Sequence, residues 1–285
     1  MSNRYGRLTV AVVSLSVLVT AGVFTAGASA AGRHDAKPAL KLIHKGELVF
    51  GTDASYPPME SVDSSTNQIV GADIGLGKAI AKVMGLKAVF ENITFGTLLN
   101  DMLIRHNMDV AISSMNDTPS RRSYCASAGH CGVSFVDYLK AVEAIVVKKG
   151  SNLHANNYSQ ICGWSISVQS ATTEEIGLKA ANAHCKKKIN ITEFPTDTLA
   201  FQDFTSGHVQ SYTTDYPVAA KYIKNHPTEF QLAGNVMKTG QFYGIASPKS
   251  NAGLHNAIMA AFAKVKKSGQ YLRILKKWNV QGGAI

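Results

Sequence analysis

Between residues 47 and 278 the chain alternates short apolar runs with segments of helical period, in two successive blocks. A run of four to six apolar residues suits a strand covered on both faces, and a helix after each strand supplies the cover. The order therefore dictates an α/β protein. In the first block, Glu47-Leu48-Val49-Phe50 reads as a strand that stops at Gly51. Asp73 stands at a helix N-cap position ahead of Leu76, Ile80, Val83 and Met84. Leu98, Leu99, Met102 and Leu103 mark a second helix, and residues 109–112 a second strand.

The rhythm restarts with a strand over 164–168, a helix over 173–184 and a strand over 189–194. A helix over 196–204 closes at Ser206-Gly207, a strand follows over 209–213, and Pro217 opens another helix in the favoured first turn. A strand at 242–246 and helices at 253–267 and 271–278 complete the pattern. No sequence repeat is visible. Two α/β units of similar size imply a cleft between them, a common place for a ligand.

The first thirty residues read as an export signal. Arg4 and Arg7 precede an apolar run from Leu8 to Phe24, and Ala28-Ser29-Ala30 supplies a small-residue cleavage site. The rival reading is a membrane anchor. No cysteine lies beside the site, which argues against a lipid anchor. Residues 31–40 read as a flexible leader. A periplasmic or secreted location follows as the expectation.

The formal net charge is +10, and +8 once the two arginines of the signal are removed. The basic residues are scattered, with Lys186-Lys187-Lys188 the only tight cluster, so no nucleic-acid face is expected. Weak attraction to anionic envelope polymers is the more modest consequence. Cys125, Cys131, Cys162 and Cys185 form an even set in an exported chain, which implies disulfides with three possible pairings. The two local pairs, Cys125–Cys131 and Cys162–Cys185, each close a short segment and are preferred. Metal ligation through His130 or His184 lacks paired ligand spacing.

Catalytic signatures are missing from the sequence: no nucleophile elbow, no phosphate-cradling loop and no zinc-protease helix. Gly71, Gly75 and Gly77 lack dinucleotide spacing and fall at a helix start. No cofactor is expected. Four polar clusters do stand at strand ends: GTDASYPPME at 51–60, AISSMNDTPSRR at 111–122, VQSATTEE at 168–175 and TTDYP at 213–217.

These segments resemble the bacterial extracellular solute-binding proteins of family 3, which serve polar amino-acid ABC transporters. The likeness runs from about residue 45 to residue 280 and rests on GTDASYPP, SSM…TPSR and TDYPVA together. It implies a two-lobed periplasmic-binding-protein fold of type II character, two α/β lobes joined by two crossover strands. Lobe 1 would take 41–141 plus 242–285 and lobe 2 would take 142–241, with crossovers near 140–143 and 239–242.

The resemblance also implies a site, and the physics of holding a zwitterion supports it. A carboxylate wants a planar bidentate cation and N–H groups at a helix start. Arg121 resembles the family's clamp, and Thr172, beside Ala171, its helix-end donor. An ammonium wants a carboxylate and neutral acceptors. Asp215 resembles that partner, with Asn116 and the Ser114 carbonyl around it. Tyr56 and Phe95 resemble the aromatic walls of the side-chain pocket, and Asp53 and Ser113 its polar end. Glu60 is a weaker candidate, since a lone glutamate is usually solvated. Bland readings stand beside these: Asp215 and Thr172 as helix caps, Arg121 as a surface residue, Tyr56 and Phe95 as core, Asp53 as a turn residue. Ala171 and Asn116 depart from the family pattern, which has glycine and threonine or serine there.

The implied ligand is a polar, cationic amino acid (lysine, arginine, ornithine or histidine), with glutamine the alternative. The implied partner is an ABC permease, and a monomer is expected. Two other readings are an enzyme of the cyclohexadienyl-dehydratase type, with Glu60, Glu174 or Asp215 as the acid, and a sensory binding module.

Overall fold

A computed structural model describes residues 9, 11 and 40–285. The signal reading of 1–30 and the leader reading of 31–39 lie outside the described segment.

The architecture grows from one nine-stranded mixed sheet. Along the sheet the strands run Asn190–Phe194, Ser165–Gln169, Ser211–Asp215, Val133–Lys148, Met237–Pro248, Val110–Ala111, Glu47–Thr52 and Lys87–Asn92, and Phe230–Leu232 pairs with the long fourth strand. The three strands at either end are mutually parallel. The two long strands in the middle are antiparallel to each other and to their outer neighbours. Their register shifts between Lys238 and Phe242, where the pairing skips.

Strand residues alternate between faces, and both faces are covered. Leu48 and Phe50 enter one hydrophobic cluster with Ile80, Tyr138 and Tyr243, while Val49 enters another with Leu98 and Met102. At the other end of the sheet, Ile145 and Val147 pack with Ile166 and Leu178, and Ala144 and Val146 with Phe201 and Phe204. Burying each large side chain of this kind stabilises by about 1.5–3 kcal/mol.

Helix starts are fixed by side chains. Thr172 accepts from the Glu175 N–H, Thr196 from Leu199 and Asn251 from Leu254, each meeting a donor the helix leaves free. Asp73 does not cap, contrary to the sequence expectation. Helix Ala72–Met84 starts after Gly71, at φ +148°, where a Cβ would lie 1.9 Å from the Met59 carbonyl oxygen. Asp73 sits in the first turn and points inward, for a reason that emerges at the site. Strand Val133–Lys148 spans the 140–143 crossover implied by the resemblance, and its full length has no counterpart in the apolar patterning.

Cys125–Cys131 bridges a small hairpin, and Cys162–Cys185 ties the end of helix Thr173–His184 to the segment before strand Ser165–Gln169. The preferred local pairing is the observed one, and it removes these cysteines from any metal-binding role.

Candidate functional site

The four polar clusters hang from the carboxyl ends of four strands, in two parallel sets. Asp53 follows Glu47–Thr52, and Ser113 follows Val110–Ala111. Gln169 and Asp215 end their own strands. Strand ends of a parallel set open on one edge. The two sets run in opposite senses, one level with Phe135 and the other ending at Glu143 of Val133–Lys148, so their carboxyl ends face each other. Asp53, Tyr56, Phe95, Ser113, Ser114, Asn116, Arg121, Thr172 and Asp215 line one cavity, joined by Gln169, Thr173 and Glu174. Ala171 stands beside it through its backbone. The enclosed volume is about 10 Å³, room for about one water.

Hydrogen bonds fix the first wall. Ser113 Oγ accepts from Asp53 N at 3.0 Å and donates to Glu60 Oε1 at 2.7 Å. Glu60 is fully buried behind the cavity, which corrects the expectation of a solvated glutamate. Its burial next to Asp73 holds its carboxyl well above the usual carboxylate range. Asp73 Oδ2 accepts from Ser114 N at 2.9 Å and from the Tyr138 hydroxyl at 2.6 Å. Asp73 thus holds Ser114 in a left-handed turn at φ +44°.

Arg121 bridges. Its own N–H is capped by Thr118 Oγ1, and its guanidinium lies 5.3 Å from the centre of the Phe95 ring. Nη1 donates to Asn116 O and Nη2 to Ala171 O, each at 2.9 Å. Burial lowers its pKa to about 10, opposed by Glu174 and Asp215, so it is cationic at neutral pH.

The opposite wall is acidic. Asp215 occupies the N-cap position of helix Tyr216–Asn225, yet its carboxylate makes no cap bond. Oδ2 accepts from the Tyr56 hydroxyl at 2.8 Å, and Oδ1 is buried with no partner among the described residues. Burial, with repulsion from Glu143, pushes Asp215 up to about 7. Glu174 is pushed well up by burial and by Asp215, and its Oε1 also lacks a partner. Glu143, bonded to Tyr158, is raised by burial to about 8. Asp53 Oδ2 accepts from Phe95 N and from Gln169 Nε2, and burial raises its pKa.

Thr172 does cap its helix, and its hydroxyl donates to Gln169 O at 2.7 Å. Ala171 answers the question its residue type raises, since it adopts φ +64° with its side chain in place. Gln169 was absent from the sequence reading, and Glu174 entered it only as a possible acid. The signal for both was their place in the VQSATTEE cluster, Gln169 at the strand end and Glu174 in the first turn of the capped helix.

The sequence model described as bacterial extracellular solute-binding proteins, family 3, matches residues 48–281. The chain is 27% identical to the ABC transporter arginine-binding protein 1 of Escherichia coli (strain K12), across 90% of this chain and 94% of that protein. It is 25% identical to the histidine-binding periplasmic protein of Salmonella typhimurium (strain LT2), across 83% and 90%. Among solved structures, an ancestral arginine-binding protein bound to arginine is similar with a TM-score of 0.74 and 33% identity, covering 82% of this chain and 98% of that one.

Proposed function

The chain belongs to the bacterial extracellular solute-binding proteins, family 3, and from that premise we propose that it captures a free cationic amino acid, arginine foremost, for an ABC importer. The family is one of binding proteins, and the chain is not an enzyme. It binds an amino acid in the context of ABC transport. The exported location proposed from residues 1–30 agrees with periplasmic relatives.

One observation carries the choice of a cation. The cavity is lined by three acids, Asp53, Glu174 and Asp215, against one cation, Arg121. An amino acid with a cationic side chain brings two cationic groups and one carboxylate, which matches that imbalance. Glutamine brings one of each. In the proposed pose Arg121 receives the carboxylate, Asp215 and Glu174 the ammonium, and Asp53 the side-chain tip between Tyr56 and Phe95.

The proposed lobes are 41–141 with 242–285, and 142–241. The bonds Gln169–Asp53, Tyr56–Asp215, Arg121–Ala171 and Thr198–Ser55 all cross between these sets. A space of about 10 Å³ cannot admit an amino acid, so entry requires the lobes to part. The ligand then replaces lobe-to-lobe bonds with bonds to both lobes, and favours closure through that differential contact.

A thermal-shift screen against the twenty amino acids plus ornithine and citrulline tests the reading. A ligand at a hundred times its dissociation constant stabilises by about 2.7 kcal/mol. Arginine should raise the melting temperature most, and citrulline, its neutral counterpart, little. Equal shifts from arginine and citrulline would overturn the cationic assignment, and silence from every amino acid the whole proposal.

A further inference from the structure

A second cavity of about 610 Å³ lies behind the amino-acid site. It opens to solvent along residues 139–142 and 238–242 of the two long strands, and is bordered by the start of helix Tyr216–Asn225 and by residues 279–283. Its size is that of a small-molecule pocket. The walls are largely apolar, with Leu139, Val142, Pro217 and Phe242 among them, and no aspartate or glutamate lines it.

Two lysines, Lys140 and Lys238, belong to the lining at its solvent-exposed rim. Lys140 pairs with Phe242 and Lys238 with Val142 across the antiparallel ladder. Lys140 and Val142 share a face, so Lys140 and Lys238 stand on that same face, as diagonal neighbours. Neither forms an ion pair among the described residues. Two like charges at such positions repel, and an anion between them relieves the repulsion.

We infer that this cavity is a second ligand site, for a small amphipathic carboxylate with an aliphatic or aromatic body: the body lies on the apolar walls, and the carboxylate lies between Lys140 and Lys238. The site is linked to the first by two direct connections. Asp215 lines the amino-acid cavity while Tyr216, the next residue, lines this one. Gln241 lines this cavity and accepts from Asn116, which lines the other, at 2.9 Å. The walls include both proposed crossovers, so an occupant changes the ease of lobe closure. That coupling rests on the two-lobe reading above; the pocket does not.

Calorimetric titration of the full mature chain with sodium octanoate tests the inference, with and without saturating arginine. The expected result is saturable binding at one site per chain that survives arginine, with octanoate changing the arginine affinity by twofold or more. Lys140→Glu with Lys238→Glu should weaken octanoate at least tenfold, and Ala220→Trp, which fills the cavity, should do the same by bulk. Both variants should still unfold cooperatively and show an arginine-induced thermal shift in the absence of octanoate, which shows that they fold. No saturable binding, displacement of octanoate by arginine, or indifference to both variants overturns the second site. Unchanged arginine affinity overturns the coupling. Octanoate binding in a protein that ignores every amino acid leaves the pocket standing and removes the proposed function.

Discussion

The hydroxyl of Tyr56 donates to Oδ2 of Asp215 across 2.8 Å, joining residues 159 positions apart. The Tyr56 hydroxyl oxygen in turn accepts from Thr214 Oγ1 at 3.0 Å and from the Asp215 N–H at 3.1 Å. All of these groups are buried. Tyr56→Phe keeps the ring but leaves the Asp215 N–H and a carboxylate oxygen without their partner, while Thr214 retains Asp197 Oδ1 at 2.9 Å. Unsatisfied buried groups cost about 1–3 kcal/mol, which at this chain length lowers the melting temperature by roughly 2–4 °C per kcal/mol. Thermal unfolding of Tyr56→Phe checks this, and an unchanged melting point would show that the bond does not hold the cavity shut.

Arg121 is the cavity's only cationic lining residue. Its two bonds to backbone carbonyls are ones an incoming carboxylate can replace without leaving a charge exposed to nothing. Removing one partner of a buried charge pair costs about 2–5 kcal/mol of binding. Arg121→Ala should therefore weaken arginine by roughly thirtyfold or more, and Arg121→Lys by less, since it keeps charge but loses the fork. Titration calorimetry reads both. Wild-type affinity in Arg121→Ala contradicts the clamp.

The sequence made some of this geometry legible and hid the rest. Helix 173–184 was readable because Thr172 caps it and its last turn ends at Cys185, and the structure has the same bounds. Parallel strand order accounts for convergence within each pair of polar loops, while the meeting of the two pairs depends on the long antiparallel strands between them. Strand Val133–Lys148 was legible only as a crossover near 140–143 through the family resemblance, because Ser134, Asp137, Lys140 and Glu143 recur every third residue and mask a period of two. Asp73 was misread for a related reason. Its spacing suits a cap, but its partners, Ser114 and Tyr138, lie 41 and 65 residues away. Glu60 was read as solvated because nothing near it in sequence announces Ser113. Long-range polar pairing leaves no local trace.

Binding should depend on pH, with a sign set by the acidic wall. Burial raises Asp215 to about 7 and Glu143 to about 8, and Glu174 well above its ordinary value. A ligand ammonium favours the ionised forms, so binding near neutral pH releases protons and arginine affinity falls as pH drops from 8 to 6. Stability of the protein alone runs the other way. These folded-state pKa values lie above the unfolded ones, so the groups' contribution is full below about pH 4 and is lost as pH rises through 7 to 8. Thermal shifts at pH 5.5, 7 and 8 separate the two trends. Equal arginine-induced shifts across that range contradict the acidic wall as the ammonium's partner, and Asp215→Asn should flatten the dependence.

Ala171, beside the cavity, holds a left-handed backbone. At φ +64° an alanine is held where glycine is at ease, a difference of about 1–2 kcal/mol. The strain is maintained by two bonds at one residue: its carbonyl accepts from Arg121 Nη2, and its N–H donates to a Glu175 carboxylate oxygen. Ala171→Gly removes the strain but frees the unfolded chain, which offsets roughly 0.4–1 kcal/mol. The net expectation is stabilisation of up to about 1 kcal/mol, with arginine affinity within a factor of two, because both bonds belong to the backbone. Ala171→Val should lower stability, since a β-branched side chain resists this conformation further. A lower melting point for Ala171→Gly would mean that the methyl group contributes more through packing than the backbone loses through its dihedral.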